Sequence, residues 1–182
     1  MPSILNKIAV YPTLYFGCFL EQIGVRQWYT RIDEHLVLGA LPMERNYKKI
    51  IESENIKAVL TMNEDHELEY SIPAMEWKRL GVDFKQTPVT DYIGVATLEQ
   101  IKDSIAFIKH HQDQDHTVYV HCKAGRYRSA LMTACYLIHK NKFTPEEARD
   151  HLKKLRSHVI LDKKRQMSAM EQYYNYLYKN KN

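Results

Sequence analysis

The sequence predicts a single-domain α/β fold with a central, mainly parallel sheet flanked by helices. Three observations predict it. Short β-branched runs alternate with longer stretches of helical period. No internal repeat or low-complexity run breaks the alternation. The length, 182 residues, is that of one domain, and 45% apolar residues suffice for a sizeable core.

The elements follow in order. "HLVLGALP" (35–42) reads as a strand ending at Pro42, and "NYKKIIESEN" (46–55) as a helix. "IKAVLTM" (56–62) is a short buried strand leading into an acidic loop, "NEDHELE". "AMEWKRLG" is a helix stopped by Gly81. "VDFKQTPVT" (82–90) is a strand, and "DYIGVA" (91–96) a loop. "TLEQIKDSIAFIKHH" is a helix that Thr97 can cap, with Gln100 at the capping-box position. "TVYVH" (117–121) is a buried strand, and 129–141 a helix apolar on most sides, hence central. "TPEEARDHLKKLRS" opens with Thr144 as cap, Pro145 at the first helical position and Glu147 three residues after the cap. A last helix spans about Lys164 to Tyr178.

Composition narrows the function. A net charge of +4 fits an anionic partner, but no basic array is interleaved with aromatics, so no nucleic-acid partner is expected. Cys18, Cys122 and Cys135 are odd in number and lack CxxC spacing. That predicts reduced thiols and an intracellular setting rather than a disulfide framework. The nine His form no HExxH, and neither a metal nor a cofactor is expected. Cys18 and Cys135 read as packing residues. Residues 1–27 are expected to be a targeting or membrane-contacting segment ahead of a catalytic domain at 28–182. The apolar run Ile8–Leu20 is too short to span a bilayer, which takes about 20 residues. The other reading is a first helix packed on the domain.

The chemistry concentrates in "VYVHCKAGRYRSALMTACYL" (118–137). In a parallel sheet the working site lies at the carboxyl ends of strands, and Cys122 lies at one. The residues after it, Lys123, Ala124, Gly125, Arg126, Tyr127 and Arg128, make a tight loop before a helix. Small Ala124 and Gly125 let the backbone curl into a nest of N–H groups, an anion site for a tetrahedral phosphate. In that field the Cys122 thiol ionises below the ~8.5 of a free Cys and becomes a nucleophile. Arg128 can clamp phosphate oxygens with its planar fork. Ser129 can donate to the thiolate and ease its departure. The leaving alkoxide needs a proton, and Asp91, after the strand 82–90, is the best-placed donor. Asp83 is at the wrong end of that strand. Asp91 could instead cap a turn. Glu64, Asp65 and Glu67 either orient Asp91 or Arg128 or form a solvated acidic loop. Lys123 and Arg126 are expected on the rim, where they suit a second phosphate or form a surface charge pair. A bell-shaped rate profile peaking at about pH 5 to 6 is expected.

"HCKAGRYRS" is recognisable as the signature of the Cys-dependent phosphatases of the protein tyrosine phosphatase superfamily. "WYTRIDEHLVLGALP", "AVLTMNED", "EWKRLGV", "TLEQI" and "TPEEA" further resemble the mitochondrial branch of the dual-specificity phosphatases, the phosphatidylglycerophosphate phosphatase family. The resemblance covers roughly Tyr11 to the end. It implies Cys122 as nucleophile, Arg128 as phosphate clamp and Asp91 as general acid. It implies an anionic phospholipid substrate, phosphatidylglycerophosphate, dephosphorylated on the way to cardiolipin. It implies a place, the matrix face of the mitochondrial inner membrane. A monomer at a membrane surface is expected. Two positions depart from the family. Tyr127 replaces a small Ser; turned outward it meets lipid or the neighbouring helix, turned inward it narrows the cup. Glu64-Asp65-His66-Glu67 replaces Glu-Glu-Tyr-Glu. A protein or phosphoinositide phosphatase is the alternative with the same chemistry, and a non-catalytic phosphate-binding module the alternative of a different class.

Overall fold

Alternation along the β-runs sorts side chains onto two sheet faces. The computed structural model describes Phe19, Ile23, Gly24, residues 26–69 and residues 71–179. Most of the expected N-terminal segment, with Cys18, lies outside the described residues. The strands are β1 (Tyr29–Arg31), β2 (Leu36–Gly39), β3 (Ile56–Thr61), β4 (Asp83–Gln86) and β5 (Thr117–His121). Their order in the sheet is β1-β2-β5-β3-β4, with β2, β5, β3 and β4 parallel and β1 antiparallel at the edge. β1 is an addition to the sequence reading.

The helices are α1 (Tyr47–Glu54), α2 (Asp65–Leu68), α3 (Ala74–Arg79), α4 (Leu98–Gln112), α5 (Arg128–Asn141), α6 (Pro145–Leu155) and α7 (Lys164–Tyr178). Leu36, Leu38, Leu60, Val118 and Val120 join the core that includes α4 to α7. Val37, Val59 and Tyr119, one position out of phase, pack with Trp28, Tyr47, Ile50 and Trp77 on the other side. The chain is thus three layers, helices on both faces of one sheet. The expected capping boxes form at Thr97 with Gln100 and at Thr144 with Glu147. α5 is buried from Arg128 to Ile138, as its apolar surround requires.

Three boundaries differ from the sequence reading. β2 ends at Gly39 rather than Pro42, since past Gly39 the chain leaves the β5 ladder. The acidic segment after β3 is not all loop, because α2 forms one helical turn there. β4 ends at Gln86 rather than Thr90. Thr87 and Val89 still donate to Thr61 and Met62, but Pro88 between them has no N–H and ends the regular ladder. The extended stretch that remains carries Asp91 to the same sheet end as Cys122. Asp83, at the opposite end of β4, is 3.2 Å from His111.

Candidate active site

β5 is the middle strand, so the residue after it emerges at the centre of the sheet's carboxyl edge. That residue is Cys122, only 3% exposed. From Lys123 to Tyr127 the chain turns into α5, and all five carbonyls are engaged outside the loop. The Lys123 carbonyl accepts from Leu41 N–H at 3.3 Å and the Ala124 carbonyl from the Arg26 guanidinium. Arg156 Nε donates to Gly125 at 3.1 Å, Ile160 N–H to Arg126 at 2.8 Å, and Gln166 Nε2 to Tyr127 at 3.2 Å. In a trans peptide the next N–H points opposite to the carbonyl. The amides of residues 124–128 are therefore left to face the other way, into the cup above the thiol. This is an anion nest.

Gly125 has a φ of +63°, and a Cβ there would lie 2.5 Å from the Gly39 carbonyl oxygen. Both the left-handed backbone and the close approach to β2 exclude a side chain. Tyr119 supports the contact from below, its hydroxyl donating to the Ala40 carbonyl at 2.7 Å.

Burial pushes the Cys122 thiol up. The Arg128 charge, the Ser129 hydroxyl and the Ser129 backbone N–H together outweigh that burial, so its pKa falls below the ordinary thiol value. Ser129 Oγ lies 3.2 Å from Cys122 Sγ. Cys135, buried in α5 without such partners, goes the other way, its thiol raised by burial. One thiol is prepared to ionise and the other is packing.

Arg128 is 2% exposed and extends under the acid loops. Its Nη1 and Nη2 reach the two Glu67 carboxylate oxygens at 2.6 and 2.8 Å. Nη1 also donates to the carbonyls of Met62 and Val89, at 3.2 and 3.0 Å. Burial acts to lower its pKa, but the Glu67 hydrogen bonds and the nearby Cys122 and Asp91 charges raise it, so it stays charged. Taking one partner out of so buried a pair costs about 3–5 kcal/mol. The fork is thus divided. One end is fixed by Glu67, and among the described residues Nε is buried without a hydrogen-bond partner. An orphan donor of this kind is satisfied by an anion in the cup.

Asp91 Oδ1 lies 3.0 Å from Arg128 Nη2, and Oδ2 lies 2.5 Å from Lys123 Nζ. Its side chain is 21% exposed, at the mouth of the cup. Lys123 corrects the sequence reading. It is not a rim cation, because its side chain is 7% exposed, paired with Asp91 and set under the Tyr92 ring. Arg126 is half-buried, with Nε on the His158 carbonyl at 2.9 Å. Tyr127 turns outward, its ring beneath Lys163 at 5.1 Å.

The three acids of the segment after β3 separate in role. Glu67 holds Arg128 and also accepts from Glu64 N–H at 2.9 Å. Glu64 accepts from the Thr90 hydroxyl at 3.3 Å, beside Asp91. Asp65 is exposed and accepts from Gln86, so it orients neither Asp91 nor Arg128.

Sequence reasoning missed Arg26 and Arg156. With Arg126 they form a basic wall on the Gly125 side. Burial and mutual repulsion lower Arg26 to about 10, and burial first of all does the same to Arg156. Both remain charged at neutral pH. His158 beside them is pushed down to about 3 by burial and the three guanidiniums, and stays neutral. The one signal available in sequence was an Arg in the C-cap of an amphipathic helix, which is ordinary for a surface residue.

The arrangement can hold a phosphate monoester over a thiolate, with a carboxyl group at the leaving-group side. The catalytic domain of dual specificity phosphatases matches residues 44–176. The human protein named phosphatidylglycerophosphatase and protein-tyrosine phosphatase 1 is 40% identical over 159 residues, 85% of this chain and 79% of that protein. The Arabidopsis thaliana phosphatidylglycerophosphate phosphatase PTPMT1 is 31% identical over 166 residues, 91% of this chain and 48% of that one. The crystal structure of PTPMT1 in complex with PI(5)P is 36% identical, with a TM-score of 0.79 over 83% of this chain and 97% of that one. With the family matched from α1 to α7 and its signature folded into a phosphate cup around Cys122, the chain belongs to the dual-specificity phosphatase family.

Proposed function

We propose that the chain hydrolyses phosphatidylglycerophosphate to phosphatidylglycerol through a cysteinyl-phosphate. The Cys122 thiolate attacks phosphorus. The bond to the glycerol oxygen breaks, and Asp91 gives that oxygen its proton. In the second step Asp91 takes a proton from water as the water attacks phosphorus. The S–P bond breaks, and Ser129 Oγ stabilises the departing thiolate. The amides of residues 124–128 and Arg128 hold the charge throughout. Glu67 positions Arg128, and Glu64 steadies the Asp91 loop through Thr90. The enzyme works on the matrix face of the mitochondrial inner membrane. It meets its substrate from the membrane surface, and among the described residues no helix is long and apolar enough to cross.

The observation that carries the chemistry is a fully buried thiol whose pKa nevertheless falls, beneath a loop with every carbonyl engaged outside. The lipid substrate is supported by the human relative's name and by the PI(5)P complex.

Phosphate release from phosphatidylglycerophosphate in mixed micelles, beside a phosphotyrosine peptide and phosphoinositides, tests the assignment. The lipid is expected to be the preferred substrate. Equal or faster release from the peptide would move the function to protein dephosphorylation. Asp91→Asn is expected to slow the lipid reaction about 10²- to 10⁴-fold. With a p-nitrophenyl phosphate, whose leaving group needs little protonation, the loss is smaller. An equal loss on both substrates would remove Asp91 as the acid.

A further inference from the structure

The loop that carries Asp91 has an unusual tip. Tyr92 and Ile93 are 61% and 67% exposed, adjacent, and beside the mouth of the cup. A single exposed apolar residue is ordinary, but a neighbouring pair turned outward is less so. The turn sets their direction. Ile93 N–H donates to the Asp91 carbonyl at 2.8 Å, and Tyr92 between them has a φ of +61°. A bulky side chain rarely takes that backbone, which persists only where its surroundings enforce it. Gly94 helps to enforce it, since a Cβ there would lie 2.5 Å from the Thr90 carbonyl oxygen.

Arg165 joins this tip to α7, its Nη1 donating to the Ile93 carbonyl at 3.1 Å. Arg165 is the last of three consecutive cations, Lys163, Lys164 and Arg165, all exposed. None of the three makes an ion pair among the described residues, and all three stand open to solvent. Between tip and helix runs a cleft of about 550 Å³, floored by Val95, Ala96 and Ala169. An apolar tip, a cleft with an apolar floor and charged and polar walls, and a triplet of cations thus share one face around the entrance to the site.

We infer that this face docks on an anionic lipid surface. Tyr92 and Ile93 enter the boundary between headgroups and acyl chains, while Lys163, Lys164 and Arg165 lie among the phosphates. The inference rests on the proposed lipid substrate. It adds the means by which the cup is set at headgroup depth, so that the scissile phosphate is reached while the acyl chains stay in the bilayer.

The test is sedimentation of the full chain with vesicles of phosphatidylcholine containing phosphatidylglycerol and no phosphatidylglycerophosphate. Ile93→Ser is expected to lower the vesicle partition coefficient about tenfold, the loss of one buried side chain. Lys163→Ser with Lys164→Ser is expected to lower it at least as much at low salt and much less at high salt. Both variants should hydrolyse p-nitrophenyl phosphate at the wild-type rate and so report their own folding. Binding unchanged in both variants overturns the proposal, as does wild-type binding equally tight on phosphatidylcholine alone. Because the vesicles hold no substrate, failure of the lipid-substrate assignment leaves this result standing, and the reverse.

Discussion

Cys122→Ser is expected to lower phosphate release by roughly 10⁵- to 10⁶-fold, the scale seen when a nucleophile is removed from an otherwise intact site. The reason is local. The cup stabilises a thiolate through Arg128, Ser129 Oγ and the Ser129 amide. A serine hydroxyl in that place ionises far less readily, and no base adjoins it to take its proton. Nothing that binds phosphate is lost, because the amides of residues 124–128 and Arg128 are untouched. The variant should therefore still bind inorganic phosphate or a substrate lipid. Steady-state release and equilibrium binding, measured together, separate the two. A variant that retains turnover within about a hundredfold of wild type would falsify Cys122 as nucleophile.

Arg128→Lys keeps the charge and loses the fork. A fall in kcat/KM of about 10³- to 10⁵-fold is expected, as for other arginines that hold a transferring phosphoryl group. The guanidinium has two tasks at once, with Glu67 on Nη1 and Nη2 and Nε left without a partner among the described residues for the phosphate. A lysine ammonium is a point donor and cannot do both. Drawn to the buried Glu67 carboxylate, it withdraws from Cys122. The thiol then loses the largest influence that lowers its pKa, and the acid limb of the rate profile moves to higher pH. Alkylation of Cys122 followed against pH should show the same upward movement without turnover. A kcat/KM within tenfold of wild type, with an unmoved thiol titration, would show that charge alone suffices at this position.

How much of this was legible in sequence depends on distance along the chain. The loop from Cys122 to Ser129 is local, so its turn, small residues and nucleophile could be read directly. The capped helices at Thr97 and Thr144 were legible for the same reason, since capping acts over three residues. β1 was missed because three residues at a sheet edge carry no period. α2 was missed because one polar turn looks like loop. Lys123 was placed on the rim because Lys is rarely buried; only the meeting with Asp91, 32 positions away, reverses that expectation. Arg26 and Arg156 act on carbonyls 98 and 31 positions away. Contacts so remote leave no local pattern.

The five carbonyls of the loop are held by five different places: the chain after β2, the segment before β1, the end of α6, the stretch at Ile160 and the first turn of α7. No subset of the chain can assemble the cup. During folding the anion site is completed only when sheet, wall and last helix have docked, so partly folded molecules have secondary structure without chemistry. Catalytic competence becomes a report on five distant supports at once, and local opening of any one of them is enough to end it.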